Sequence, residues 1–174
     1  MTAVDAYLVD PSVDLLTKVN IQAQVLVPVV RALRTELGEA KANNLVRSAL
    51  RAWSAGLFST IGARIDGTPR QKWSAMHGGL VAAAIPKVVA KTLRNDPGGL
   101  EFDVTSCKYA EFFHALGEPE LGALLLCSAD IDVAAAGADE VKFTRTQTLM
   151  QGGRCCDFRY QFSVADDEKV TREE

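Results

Sequence analysis

Val141-Lys142-Phe143-Thr144-Arg145-Thr146-Gln147-Thr148-Leu149, Met150-Gln151-Gly152-Gly153-Arg154-Cys155 and Cys156-Asp157-Phe158-Arg159-Tyr160-Gln161-Phe162-Ser163-Val164 form the continuous stretch that decides the fold. Polar and apolar residues alternate on both sides of a glycine pair, the pattern of two half-buried strands folding back on each other. Gly152-Gly153 suits a two-residue turn, because glycine takes the positive φ such turns demand. Pairing outward from that turn sets Leu149 opposite Cys156, Gln147 opposite Phe158, Arg145 opposite Tyr160, Phe143 opposite Phe162 and Val141 opposite Val164. The other face then carries Lys142, Thr144, Thr146 and Thr148 against Ser163, Gln161, Arg159 and Asp157, as a one-sided antiparallel sheet requires. This register turns Arg145 and Gln147 toward the core beside Cys156, with Cys155 outward. A buried, unpaired guanidinium costs several kcal/mol, so these inward residues need internal partners or a ligand.

Upstream, Leu100, Phe102 and Val104 alternate with Glu101, Asp103 and Thr105 and read as another half-buried strand. A helix follows from Thr105 or Ser106 as cap, with Cys107 in its first turn, and Gly117 closes it; Glu118-Pro119 opens a second short helix through Leu126 and Cys127. The first half has helical period. A first helix is expected from Asp10-Pro11 to Gly38, with Pro28 kinking or breaking it. A second carries Val46, Leu50, Trp53, Leu57 and Ile61 on one stripe and stops before Asp66-Gly67. A third opens with the capping box Thr68-Pro69-Arg70-Gln71 and ends by Asn95-Asp96-Pro97-Gly98-Gly99. The expected class is α+β: three N-terminal helices, a strand, two short helices and a C-terminal antiparallel hairpin in one domain over 1–174. Within it, 10–94 is helical, 99–165 mixed and 166–174 an acidic tail. The helices can cover the sheet, meet another subunit of a homo-oligomer through the stripe that includes Trp53, or both.

A formal net charge of -3 and a pI near 5.5 argue against a surface for nucleic acid, whose affinity comes from clustered Lys and Arg. The most apolar stretch, Gly78 to Ala90, is shorter than the ~20 residues a bilayer-spanning helix needs, and Pro86 and Lys87 interrupt it. The first residues lack the charged-then-apolar order of a secretory signal, so the four cysteines are expected reduced, in the cytoplasm.

Among chemistry-bearing residues, Cys107 lies where a helix N-terminus and the adjacent Lys108 favour thiolate, and is the first nucleophile candidate; a buried, unreactive thiol is the plainer reading. His114, seven residues on, shares that helix face and could orient the thiol, although a surface or core histidine is the ordinary reading. Cys127 and Asp130 share a face if the helix continues, placing an acid at the end of the run Leu124-Leu125-Leu126, as a ligand group or a cap. Arg145 has the planar fork that suits a carboxylate, either of a ligand or of an internal acid such as Asp130. Cys156 is inward, and Tyr160 with the neighbouring phenylalanines forms core or pocket wall.

The run from Thr144 to Tyr160, together with Cys107, Tyr109-Ala110-Glu111-Phe112-Phe113, Gly117-Glu118-Pro119-Glu120-Leu121-Gly122, Cys127 and Asp130, resembles the L-2-amino-thiazoline-4-carboxylate hydrolase family over about Val104 to Phe162. The resemblance implies a hydrolase acting on C-N bonds of a cyclic amidine or amide, opening an amino-thiazoline carboxylate toward a carbamoyl-cysteine without a cofactor. On that reading Cys107, Asp130 and Cys156 are catalytic, while Arg145, Gln147, Cys127 and Tyr160 bind a small substrate bearing a carboxylate. Either Cys107 or a water attacks the ring. The same region resembles, more distantly, small-molecule-binding domains of the 4-vinyl-reductase type. That implies a sensory module in which Cys107, Cys127 and Cys156, with Asp130, hold zinc, though separations of twenty and twenty-nine residues are not those of paired metal-binding cysteines. A related hydrolase acting on another cyclic amide or lactam is a third alternative.

Overall fold

The computed structural model describes residues 13–163. The expected helix start at Asp10-Pro11, the partner Val164 and the acidic tail lie outside the described residues. Helix α1 (Leu15–Leu37) is capped by Asp14, whose carboxylate accepts from the amides of Leu16 and Thr17. It runs through Pro28 without interruption. Pro28 is exposed, so the carbonyl that loses its helical donor can be served by water. Gly38, at φ 78°, ends α1 and starts α2 (Glu39–Gly62). Helix α3 (Pro69–Ala84) opens with the expected capping box, Thr68 serving the Gln71 amide and Gln71 the Thr68 amide.

Four antiparallel strands follow, β1 (Val88–Asp96), β2 (Gly99–Cys107), β3 (Val141–Thr144) and β4 (Cys156–Phe162), in the order β1-β2-β4-β3. Strand β1 corrects the expectation that 10–94 is helical. Pro86 cannot continue α3, and Val88-Val89 with Thr92 suit a pleated strand once β2 supplies the ladder. Between β2 and β3 lie α4 (Lys108–Ala115), α5 (Pro119–Gly122), a π-turn (Ala123–Cys127), α6 (Ala129–Ala135) and a 3-10 turn (Ala138–Glu140). The α+β class holds, with one more strand and more helical pieces than the sequence suggests.

The hairpin register also differs. Val141 faces Phe162, Lys142 Gln161, Phe143 Tyr160 and Thr144 Arg159, a shift of two residues from the expected pairing. A shift of two preserves each residue's face, whereas a shift of one would invert it. Val104, Val141, Cys156, Phe158 and Tyr160 are accordingly buried on one side. Arg159 on the other side pairs with Asp103 at 2.8 Å.

The core has two parts. One sets the sheet's inner face against Phe58 of α2, Trp73 and Met76 of α3, and Val133 and Ala134 of α6; the other joins α1 to Tyr109, Ala110 and Phe113 of α4, with Leu121 and Met150. Cys107, Val88 and Leu149 pack against both. Trp53 is half exposed rather than central to the α2 stripe, which buries Ala42, Ser54 and Phe58.

Glu118 fastens the helices. Its buried carboxylate accepts from Arg31 Nε at 2.6 Å and Arg34 Nη1 at 2.9 Å, tying α1 to the α4–α5 connection. Removing one partner of a buried charge pair strands the other, so Glu118→Ala is expected to lower stability by about 3 kcal/mol in urea denaturation. Arg31 is more than half exposed and can rehydrate, which places the loss at the low end of that class.

Candidate active site

The segment between β3 and β4 is a built loop instead of a two-residue turn. Among the two glycines only Gly152 has positive φ, at 82°, closing a 3-10 turn over Leu149–Gln151. Asp157 Oδ1 accepts from the amides of Thr146 at 2.9 Å and Gln147 at 2.8 Å, and its Oδ2 accepts from the Thr146 hydroxyl at 2.6 Å. Cys156 Sγ accepts from the Leu149 amide at 3.2 Å. Thr148 is buried, not outward, and its hydroxyl caps the Gln151 amide. Side chains thus take amides that a longer hairpin ladder would have used, which releases 145–155 from strand pairing. Asp157 is the organising residue that the alternation pattern misses, because the amides it captures lie eleven and ten residues back in the chain.

Arg145 leaves the end of β3 pointing inward, with its side chain 10% exposed. Nη1 donates to Asp130 Oδ2 at 2.5 Å and Nη2 to the Cys127 carbonyl at 2.8 Å. The guanidinium also lies 5.2 Å from the Phe158 ring centre. The Cys127 carbonyl is offered by the π-turn, where the Ser128 amide reaches back five residues to the Ala123 carbonyl at 3.1 Å. Such widened turns are frequent at functional positions. Ser128 Oγ then donates to the Leu124 carbonyl, and α6 begins by presenting Asp130.

Asp130 keeps a third of its side-chain surface open while dense protein surrounds the rest, and burial pushes its carboxyl up to about 6, with the Arg145 charge and hydrogen bond opposing. The three inward thiols share this neighbourhood. Burial pushes Cys127 up to about 12, aided by the Asp130 charge. Burial also raises Cys156, against the Leu149 amide, and Cys107, against the first amides of α4; both sense Asp130, and Cys156 also senses Cys107. Cys107 occupies the cap position of α4, one residue before the helix, where loss of hydration raises the thiol against the pull of the first helical amides. Tyr160 is buried, and burial and the Asp130 charge raise its phenol.

The structure therefore gathers Cys107, Cys127, Asp130, Arg145, Cys156 and Tyr160 into one electrostatic neighbourhood. Gln147 does not join them through its side chain, whose Oε1 accepts from the Arg154 amide at 3.1 Å within the loop. His114 Nε2 lies 3.1 Å from the Leu149 carbonyl, which holds the proton on that nitrogen. Cys155 is a partly exposed free thiol. Among the described residues no group of three or more His, Cys, Asp or Glu is arranged to hold a metal, so the zinc-module alternative lacks its ligand set. Among the same residues no helix is long and apolar enough to cross a membrane.

A search of the curated proteins finds no match to this chain. The family model described as L-2-amino-thiazoline-4-carboxylic acid hydrolase matches residues 18–160, which takes in most of α1 as well as the loop and both ends of the Asp130–Arg145 pair. The chain belongs to the L-2-amino-thiazoline-4-carboxylic acid hydrolase family and is a hydrolase of the cyclic amidine and amide class.

Proposed function

We propose that the protein hydrolyses L-2-amino-thiazoline-4-carboxylate, or a close cyclic amidine bearing a carboxylate, at the pair formed by Arg145 and Asp130. The observation that carries this reading is that pair: a carboxyl raised to about 6 beside a fixed guanidinium and three thiols held in their neutral form. A carboxyl near that value is matched to proton transfer at neutral pH. Arg145 commits one donor each to Asp130 and the Cys127 carbonyl, and a guanidinium has five, so N–H groups remain for a substrate carboxylate.

In the proposed reaction Asp130 takes a proton from water as the water oxygen bonds to ring carbon two. That addition moves the C=N π pair onto the ring nitrogen, which is protonated as the new hydroxyl gives up its proton; the tetrahedral carbon collapses to a carbonyl, its bond to sulfur breaks, and the sulfur leaves with the proton returned by Asp130. Water and the thiazoline are thereby converted into the carbamoyl-cysteine with all atoms accounted for. Water attack is favoured over attack by Cys107, because a thiol raised by burial supplies little thiolate at neutral pH. Cys107, Cys127, Cys156 and Tyr160 surround the pair in this scheme. A cytoplasmic setting suits it, since reduction keeps the four free cysteines as thiols.

The test is to incubate the protein with the amino-thiazoline carboxylate and follow carbamoyl-cysteine; no turnover by wild type ends the substrate assignment. Cys107→Ser is expected to retain kcat within about tenfold of wild type. A loss beyond about a thousandfold, with a covalent adduct in intact-mass spectra of wild type, would transfer the attack to the thiol.

A further inference from the structure

A cleft between α3 and the β1–β2 turn lies apart from the Asp130–Arg145 pair. Arg70, Trp73, Ser74 and His77 supply one wall, and Asn95 and Phe162 stand across from them, in a half-open cleft of about 190 Å³. The first four residues recur at helical spacing and so share one side of α3. The wall is aromatic: Trp73 and His77 stack with centroids 4.9 Å apart at 23°. Burial lowers the His77 imidazole from its ordinary value, so the ring is neutral at neutral pH.

Arg70 is the charged group here. Its guanidinium carbon sits 4.1 Å over the Phe162 ring. The Arg70 amide binds Glu140 Oε2, but among the described residues the guanidinium meets no carboxylate. Asp96, the acid at the rim, is already engaged: Arg94 holds both its oxygens at 2.7 and 2.9 Å, and the Gly98 amide holds Oδ1. The cleft therefore presents an arginine fork steadied on a ring, beside a neutral imidazole, a hydroxyl and a carboxamide. A fork of this kind matches a carboxylate with two parallel hydrogen bonds.

We propose that this cleft is a second small-molecule site, for a planar ligand whose carboxylate binds Arg70 and whose ring lies against His77. The site touches the active-site core only through packing. Trp73 meets Tyr160 at 4.8 Å between centroids, Tyr160 stacks on Phe143 at 4.7 Å, and Arg145 lies 5.8 Å from the Phe143 ring centre.

The probe is benzoate, with benzamide as its uncharged isostere. The chain has two tryptophans, so Trp53→Phe leaves Trp73 as the reporter. The expected result is a saturable change in Trp73 emission with benzoate, matched by binding heat in calorimetry of the wild-type protein. Benzamide should bind at least about tenfold more weakly, as should benzoate to Arg70→Ala, with Arg70→Lys between. Thermal melts of both variants establish that they are folded. Absence of saturation in both measurements overturns the proposal. So does benzoate binding that is unchanged in Arg70→Ala or Arg70→Lys, or that is lost in Arg145→Lys while Arg70→Ala keeps it.

Discussion

Asp130→Asn is expected to lower kcat/KM on the amino-thiazoline carboxylate by about 10²–10⁴, the range that removal of a positioned acid–base group commonly costs. The substitution keeps the shape and an oxygen for Arg145 but abolishes proton transfer. Stability offers an independent readout. Because the folded carboxyl stands at about 6 against an ordinary 3.8, the folded protein binds this proton more tightly than the unfolded chain does. Stability should therefore fall as pH rises from about 4 to about 6, then lose this dependence above that window, and Asp130→Asn should remove the slope. If urea midpoints measured across that range have the same slope in wild type and variant, the carboxyl is not raised by the fold.

Arg145→Ala is expected to lose about 3 kcal/mol of stability in urea denaturation, because it leaves Asp130 without its cation and the Cys127 carbonyl without its donor. The loss is set at the low end for a buried pair because a third of the Asp130 side chain remains open to water. Arg145 also holds the carboxyl down, so its removal should move the Asp130 titration to still higher pH. Adding Asp130→Asn to Arg145→Ala should recover part of the loss, since the stranded charge is then absent. A double variant no more stable than Arg145→Ala would mean that the guanidinium acts through packing on Phe158 and Phe143 rather than through the pair.

How much of this was legible in the sequence depends on how local the deciding forces are. The capping box at Thr68, the helix end at Gly38 and the alternation of β2 rest on neighbours in the chain, and all appear where the residues suggest. Strand β1 does not announce itself, because the apolar run from Gly78 to Val89 suits a helix until Pro86, and only the ladder with β2 makes its second part a strand. The hairpin illustrates the same division. Its alternation places Arg145 and Cys156 inward correctly, because a register error of two leaves faces unchanged. The loop itself was hidden, since Asp157, Thr148 and Cys156 compete for amides in a way that period alone does not encode.

The candidate site divides likewise. An inward arginine that needs a partner, and an acid just past an apolar run, were enough to suggest Arg145 with Asp130. The protonation of the thiols was not, because it depends on how much protein α1, α4 and the sheet pile around Cys107 and Cys127. Gln147 shows what pattern alone leaves out: its Oε1 accepts from the Arg154 amide once the chain leaves the strand.

The most direct measurement is the pH profile of kcat/KM for the amino-thiazoline carboxylate, taken on wild type and Cys107→Ser. Asp130 acting as the carboxylate base predicts an acid limb rising through an apparent pKa of about 6 in both proteins. A profile that instead climbs above pH 8 in wild type and vanishes with Cys107→Ser would make the thiolate, not Asp130, the reacting group.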